Sequence, residues 1–183
     1  MSIKKSNNLI LIENGKINTY RLDNRLTWEL GRVSGNNMPD IRCYSLTVSR
    51  KHGSFQNMDG VWFYVDCYGK NGTVYAGKKL KPAAKGRIKP IMLKDGDVFV
   101  FGGGEEAVIG PKTAWALFKT KEIGDDWRLI DTKGCTNFEF TDGKSTTKLE
   151  NISKGTVIET DKGMAIYMDD ITFLMGEMDV VYH

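Results

Sequence analysis

GSFQNMDGVWFYVD, running from Gly53 to Asp66, reads as two β-strands and the turn between them. Gly53 to Asn57 and Trp62 to Asp66 are short segments of the kind that pack on a pleated surface. Asp59-Gly60 between them supplies the positive φ that a tight hairpin needs. The same pattern extends in both directions. Short runs rich in Val, Ile, Phe, Tyr and Trp occur at Asn8 to Glu13, Ile17 to Leu22, Leu26 to Leu30, Val74 to Tyr75, Arg87 to Met92, Asp97 to Phe101 and Thr113 to Lys119. Asn14-Gly15, Asn71-Gly72 and Asp95-Gly96 punctuate them. No window forms an amphipathic helix capped at both ends, which sets aside helical folds and the parallel α/β folds that need crossover helices. The chain is expected to be all-β, a sandwich or barrel.

A polar connector, Glu122-Ile123-Gly124-Asp125-Asp126, separates a second region. Strand-like segments recur there at Trp127 to Asp131, Asn137 to Thr141, Thr156 to Thr160, Met164 to Met168, Ile171 to Met175 and Met178 to Tyr182. Asp142-Gly143 and Asp161-Lys162-Gly163 are hairpin signals among them. The organisation expected is a domain over 1–120 and a small β-rich accessory unit over 121–183. A unit of about 60 residues is near the lower limit for an independent core, so it should pack on the first domain or on another chain.

Composition narrows the function classes. The 183 residues hold 26 Lys+Arg against 23 Asp+Glu, a net charge of +3. That balance hides an asymmetry: up to Thr120 there are 19 basic and 10 acidic residues, and after it 7 basic and 13 acidic. The first part suits an anionic ligand, and the acidic remainder could dock against it in cis or in trans. Leu9 to Ile12 is too short an apolar run for a signal peptide or a membrane span, so membrane insertion is not expected. Three widely spaced cysteines and two histidines give neither a disulfide framework nor a metal site, and the thiols are expected reduced, in a cytoplasm. No nucleophile-base-acid set and no cofactor motif is present, so neither an enzyme nor a cofactor is expected. Gly102-Gly103-Gly104 lacks the Lys-Ser/Thr and helix of a phosphate loop and reads as a flexible connector. The seven cations between Lys78 and Lys94 are not interleaved with aromatics; they read as a solubilising loop, and nucleic acid is not an expected partner.

Three motifs carry chemistry. Gly31-Arg32 follows the segment Leu26 to Leu30 and puts a planar, permanently charged donor at a sheet rim, suited to an oxyanion. Ser49-Arg50-Lys51-His52 offers a hydroxyl and two cations within four residues. Asp66 to Thr73 contains the Asn71-Gly72 turn, whose Asn presents amide donors and an acceptor. In this order, with Asp40-Ile41 and with Leu93 to Gly102, a strand led by Asp95-Gly96-Asp97, these motifs resemble the forkhead-associated (FHA) domain, over residues 1 to about 120. The resemblance implies a β-sandwich of two twisted sheets with about eleven strands. It also implies binding of phosphothreonine peptides without catalysis, with a Ser/Thr kinase system supplying the modification. In those roles Arg32 and Ser49 would hold the phosphate, Arg50 would add a second cation, and Asn71 would bond the peptide backbone. Gly31, His52, Gly72 and Thr73 would be structural, with His52 holding the loops by hydrogen bonds. A phosphothreonine, with about −1.5 to −2 charges and three acceptor oxygens, matches such a donor set.

Two positions depart from the family pattern. Lys70 stands where many members have threonine or serine and could reach the phosphate or a peptide acid, while Ala76 replaces a common asparagine, a change of turn chemistry. The second unit resembles no family. It is expected to cover a sheet of the first or to mediate self-association, and Ser145-Thr146-Thr147 is expected in an exposed loop where a modified threonine could engage another copy. A second reading of the chain is a structural or secretion-apparatus component whose FHA fold makes phospho-independent contacts.

Overall fold

The computed structural model describes residues 5–82, 84, 89–104, 112–135, 137–149 and 152–182. The chain divides into two units, Met1–Ile123 and Gly124–His183.

The first unit begins with β1 (Lys5–Glu13), β2 (Lys16–Arg21) and a 3-10 turn at Leu22–Asn24. Then come β3 (Thr27–Arg32), β4 (Ile41–Cys43), β5 (Gly53–Met58), β6 (Val61–Asp66), β7 (Thr73–Tyr75) and β8 (Lys78–Lys79). It closes with β9 (Ile91–Met92), β10 (Val98–Phe101) and β11 (Ala114–Lys121). These form a six-stranded sheet, β2-β1-β11-β10-β7-β8, and a five-stranded sheet, β4-β3-β5-β6-β9. All pairs are antiparallel except β3 with β4, a parallel pairing that no hairpin signal marks.

Alternation along the strands sends one set of side chains inward. Leu9, Leu11, Phe99, Phe101, Ala114 and Ala116 from the first sheet meet Trp28, Leu30, Phe55, Trp62 and Tyr64 from the second in one buried cluster. Aromatic rings cross the gap: the Tyr64 and Phe99 centroids lie 4.8 Å apart, and the Phe55 and Phe99 rings are edge-to-face at 5.8 Å. The unit is therefore a β-sandwich.

The second unit contains β12 (Arg128–Asp131), β13 (Phe138–Thr141), β14 (Thr146–Leu149), β15 (Thr156–Thr160), β16 (Gly163–Tyr167), β17 (Ile171–Gly176) and β18 (Asp179–Tyr182). The sheets β12-β17-β16-β15 and β14-β13-β18 enclose Phe138, Phe140, Ala165, Tyr167, Leu174 and Met178. With eleven strands in the first unit and seven here, the described residues hold eighteen.

Three expectations change. Thr146 and Thr147 are not in a loop: they open β14, paired with Thr141 and Phe140 of β13. The Asp142 carboxylate accepts the Lys144 and Ser145 N–H groups at 2.9 and 2.8 Å, closing a turn that sends the β-branched threonines directly into the ladder. Lys78–Lys79 forms a short strand on Val74 and Tyr75. The segment expected over Arg87 to Met92 is a strand at Ile91–Met92, and its first part lies outside the described residues.

Candidate functional site

One end of the first sandwich gathers the C-terminus of β3, the segment leading into β5, the β6–β7 turn and the end of β10. The ladders dictate this: Leu30 pairs with Gly53, Gly53 with Asp66, and Phe101 with Thr73. Pairing runs past the strand ends, because Arg32 N–H donates to Ser49 O at 3.0 Å and His52 N–H to Leu30 O at 3.0 Å. Arg32 and Ser49 are thereby neighbours on adjacent chains, although seventeen residues separate them in sequence.

His52 is fully buried and organises this end. Its Nδ1 accepts the Ser49 N–H at 3.1 Å, so the ring proton is on Nε2, which donates to Thr73 Oγ1 at 2.8 Å. The Thr73 hydroxyl donates onward to Asp66 Oδ1 at 2.7 Å, and the Tyr64 hydroxyl donates to the same oxygen at 2.6 Å. Burial pushes the His52 pKa below the ordinary imidazole value, against the opposing pull of the Asp66 carboxylate. The neutral ring thus links the Ser49 loop to the start of β7. Thr73 is an internal member of this relay as well as the end of a turn.

Arg32 donates from Nε to Val48 O at 3.0 Å, which orients the guanidinium and, among the described residues, leaves its Nη groups for an external acceptor. Asn71 donates from Nδ2 to Thr47 O at 3.1 Å. Arg32 and Asn71 therefore hold successive carbonyls of one loop from two sides. Gly31 admits no side chain: a Cβ there would lie 1.9 Å from Arg50 O. Gly69 has its own close approach, since a Cβ on it would lie 2.2 Å from Ser49 Oγ, which places the Ser49 hydroxyl against the β6–β7 turn. The side chains of Arg50 and Lys70 are exposed at this rim. Two of the three glycines after Phe101 are tethered to the β6–β7 turn: Gly102 N–H donates to Gly72 O at 2.9 Å and Gly104 N–H to Asn71 O at 3.1 Å.

Several residues that hold the site carry no motif signal. Asn37 Nδ2 donates to Arg32 O at 2.8 Å and Arg50 O at 3.0 Å, stapling the end of β3 to the loop of Ser49 and Arg50. The Glu13 carboxylate accepts the Tyr44 and Ser45 N–H groups at 2.8 Å each, from 31 and 32 residues away. Asp40, which unlike these belongs to a quoted motif, accepts the Glu29 N–H at 2.8 Å and pairs with Arg25, so it braces β3. Among the described residues no group of His, Cys, Asp and Glu side chains is arranged to hold a metal ion.

The family model of the FHA domain matches residues 28–102, from β3 to the glycine that follows β10. The first unit carries an FHA domain, and β1, β2 and β11, outside the matched span, complete its six-stranded sheet. Among solved structures, the yeast Pml1 splicing factor is similar at 22% identity, covering 66% of this chain and 83% of that one, with a TM-score of 0.51. Full-length yeast Pml1p is similar at 23% identity, covering 63% and 82%, with a TM-score of 0.50. The FHA domain of the CT664 protein from Chlamydia trachomatis aligns at 18% identity over 64% and 99%, with a TM-score of 0.47. At these identities the likeness is one of fold. No curated protein sequence matches the chain.

Proposed function

We propose that the first unit is a non-enzymatic module that binds phosphothreonine peptides. The observation that carries this reading is the hydrogen-bonded rim on which Arg32, Ser49 and Asn71 meet, with Val48 O and Thr47 O orienting the two side chains and His52 holding the Ser49 backbone. The guanidinium Nη groups and the Ser49 hydroxyl are donors for the phosphate, the exposed Arg50 and Lys70 add positive charge, and the Asn71 amide carries the contact to the peptide backbone. A protein Ser/Thr kinase is the class of enzyme that must make such a ligand, and the three free cysteines suit a reducing compartment such as a cytoplasm. Fluorescence titration of the full chain with a phosphothreonine peptide library and the unphosphorylated twins tests the reading. Selective binding of phosphorylated members supports it; equal binding of both forms overturns it.

A second reading, an assembly component making phospho-independent contacts, has one observation in its favour. The solvent face of the five-stranded sheet exposes Met58, Val61 and Met92, with Phe63 paired to Met92. Partner binding that survives Arg32→Ala and is lost on Met92→Lys would favour this role.

A further inference from the structure

From Cys67 to Lys94 the chain carries eight Lys and Arg residues and no Asp or Glu. Lys70, Lys78, Lys79, Lys81, Lys89 and Lys94 belong to the described residues, and all six are exposed. Among the described residues none of the six forms an ion pair. The carboxylates that border the segment are engaged by hydroxyl and backbone N–H groups. Asp66 Oδ1 accepts the Tyr64 and Thr73 hydroxyls, and Asp97 Oδ2 accepts the Tyr75 hydroxyl at 3.0 Å and the Lys94 N–H at 2.8 Å.

The first of these lysines stand on an ordered hairpin. Lys79 lies opposite Val74 and Lys78 opposite Tyr75, and Leu80 N–H donates to Thr73 O at 2.8 Å. Leu80 packs against the core, so the pleat sends Lys79 to the other face. There its stem lies along the β6–β7 turn: a Cβ on Gly72 would be 2.7 Å from Lys79 Cε and 3.5 Å from its Nζ. Lys70 precedes Asn71 in the same turn, so lysines flank it on both sides and the positive surface is continuous with the candidate site. A lysine on an edge strand also guards against pairing with another sheet. That accounts for β8, but not for the missing acids over the whole segment or for the lysines about the Asn71 turn.

We propose that the β7–β8 hairpin is a second, phosphorylation-independent binding surface that takes an acidic segment of a partner protein, a run of Asp and Glu side chains. An ammonium group has three donors and no acceptor, which carboxylates complement, and a surface without acids of its own repels none of them. The aromatic within the hairpin, Tyr75, packs against the core and offers no face on which a base could stack, which favours an acidic peptide over a nucleic acid. Exposed charge pairs contribute little singly, so the surface acts through several lysines together. An acidic segment held here beside a second contact on the same partner gains by linkage, without any new contact. The inference stands apart from the phosphothreonine reading, because the segment it takes carries no phosphate.

The test titrates the full chain with an unphosphorylated, fluorescently labelled glutamate-rich peptide and with its glutamine counterpart, at low and at high salt. The glutamate peptide should bind, the glutamine peptide should not, and salt should weaken the binding. Combining Lys78→Gln, Lys79→Gln and Lys81→Gln should weaken it by about 10-fold, while a phosphothreonine peptide with alanine on both sides binds this variant and the parent chain alike. Combining Lys16→Gln, Lys133→Gln and Lys144→Gln makes the same change of net charge elsewhere and should have little effect. Equal losses in the two triple variants, or no loss in the first, overturn the inference. Tighter binding of duplex DNA than of the glutamate peptide through Lys78, Lys79 and Lys81 also overturns it, since the occupant would then be a nucleic acid. None of these results touches the phosphothreonine reading. Glutamate binding by a chain that takes no phosphopeptide would overturn that reading and leave this one standing.

Discussion

His52 and Thr73, twenty-one residues apart, are joined by a 2.8 Å hydrogen bond inside the sandwich, and Thr73 passes the chain on to Asp66 at 2.7 Å. The bond ties the Ser49 loop to the first residue of β7 and leaves neither polar group unsatisfied in the interior.

Thr73→Val keeps the shape and removes the relay. It strands His52 Nε2–H and takes one donor from Asp66, so the first unit should lose about 1–3 kcal/mol, read as a lower urea midpoint at unchanged slope. Phosphopeptide affinity should fall less than in Arg32→Ala, because the Arg32 guanidinium and the Ser49 hydroxyl remain.

The pH dependence follows from the depressed His52 pKa. In the unfolded chain the imidazole takes up a proton below about 6.5, whereas in the folded chain burial resists it. Stability should therefore be flat above neutrality and decline as pH falls from about 6.5 toward the lower folded value. Thermal midpoints at pH 7.5, 6.5 and 5.5 check this. His52→Gln, compared with itself across the series, should show a shallower decline; an equal decline would assign the effect to other groups.

Arg32→Ala tests the site without touching the core. A charge-assisted hydrogen bond contributes about 1.5–3 kcal/mol, so phosphothreonine peptide affinity should drop by roughly 10- to 150-fold. Arg32→Lys should recover part of it, since an ammonium supplies charge without the planar fork. Calorimetric titration provides both numbers.

Ala76 sits at φ +50°, followed by Gly77 at +78°, at the tip of the β7–β8 hairpin. A left-handed conformation strains a residue with a Cβ, and asparagine tolerates it better. Ala76→Asn should stabilise the first unit by about 0.5–1 kcal/mol in denaturant melts. No gain would show that the turn is held by its neighbours irrespective of its residue.

Asp142, almost fully buried, is the acid-sensitive point of the second unit. The Ser145 N–H, then the Thr160 hydroxyl and the Lys144 N–H, hold its carboxyl well below the usual carboxylate range. Its contribution is complete above the unfolded value of about 4 and is lost as pH falls below it. Asp142→Ala should speed amide exchange at Lys144 and Ser145 at neutral pH, while exchange at Phe55 and Phe99 is unchanged.

The all-β class and most strand positions were legible because they rest on local rules: alternating apolar side chains mark a pleated strand, and Asn-Gly and Asp-Gly pairs mark turns. Arg32, Ser49 and Asn71 stood out only through the resemblance to the FHA pattern, and the structure brings them to one rim. β14 was missed because Thr146 to Leu149 has little apolar alternation; its ladder with β13 and the Asp142 turn determine its state. The parallel pairing of β3 with β4 was invisible for a related reason, since no turn encodes it.

By itself, then, the sequence determined that the chain is all-β and that Arg32, Ser49 and Asn71 stand at a strand end, in a loop and in a turn. Only the tertiary structure decided how those groups are held: Glu13 clamps the Tyr44 loop from the far end of β1, Asn37 staples Arg32 to Arg50, and His52 reaches Asp66 through Thr73. Each of these is a hydrogen bond between residues distant in sequence or joined through a carbonyl. A carbonyl is the same in every amino acid, so only the packing of the two sheets reveals which one a side chain will find.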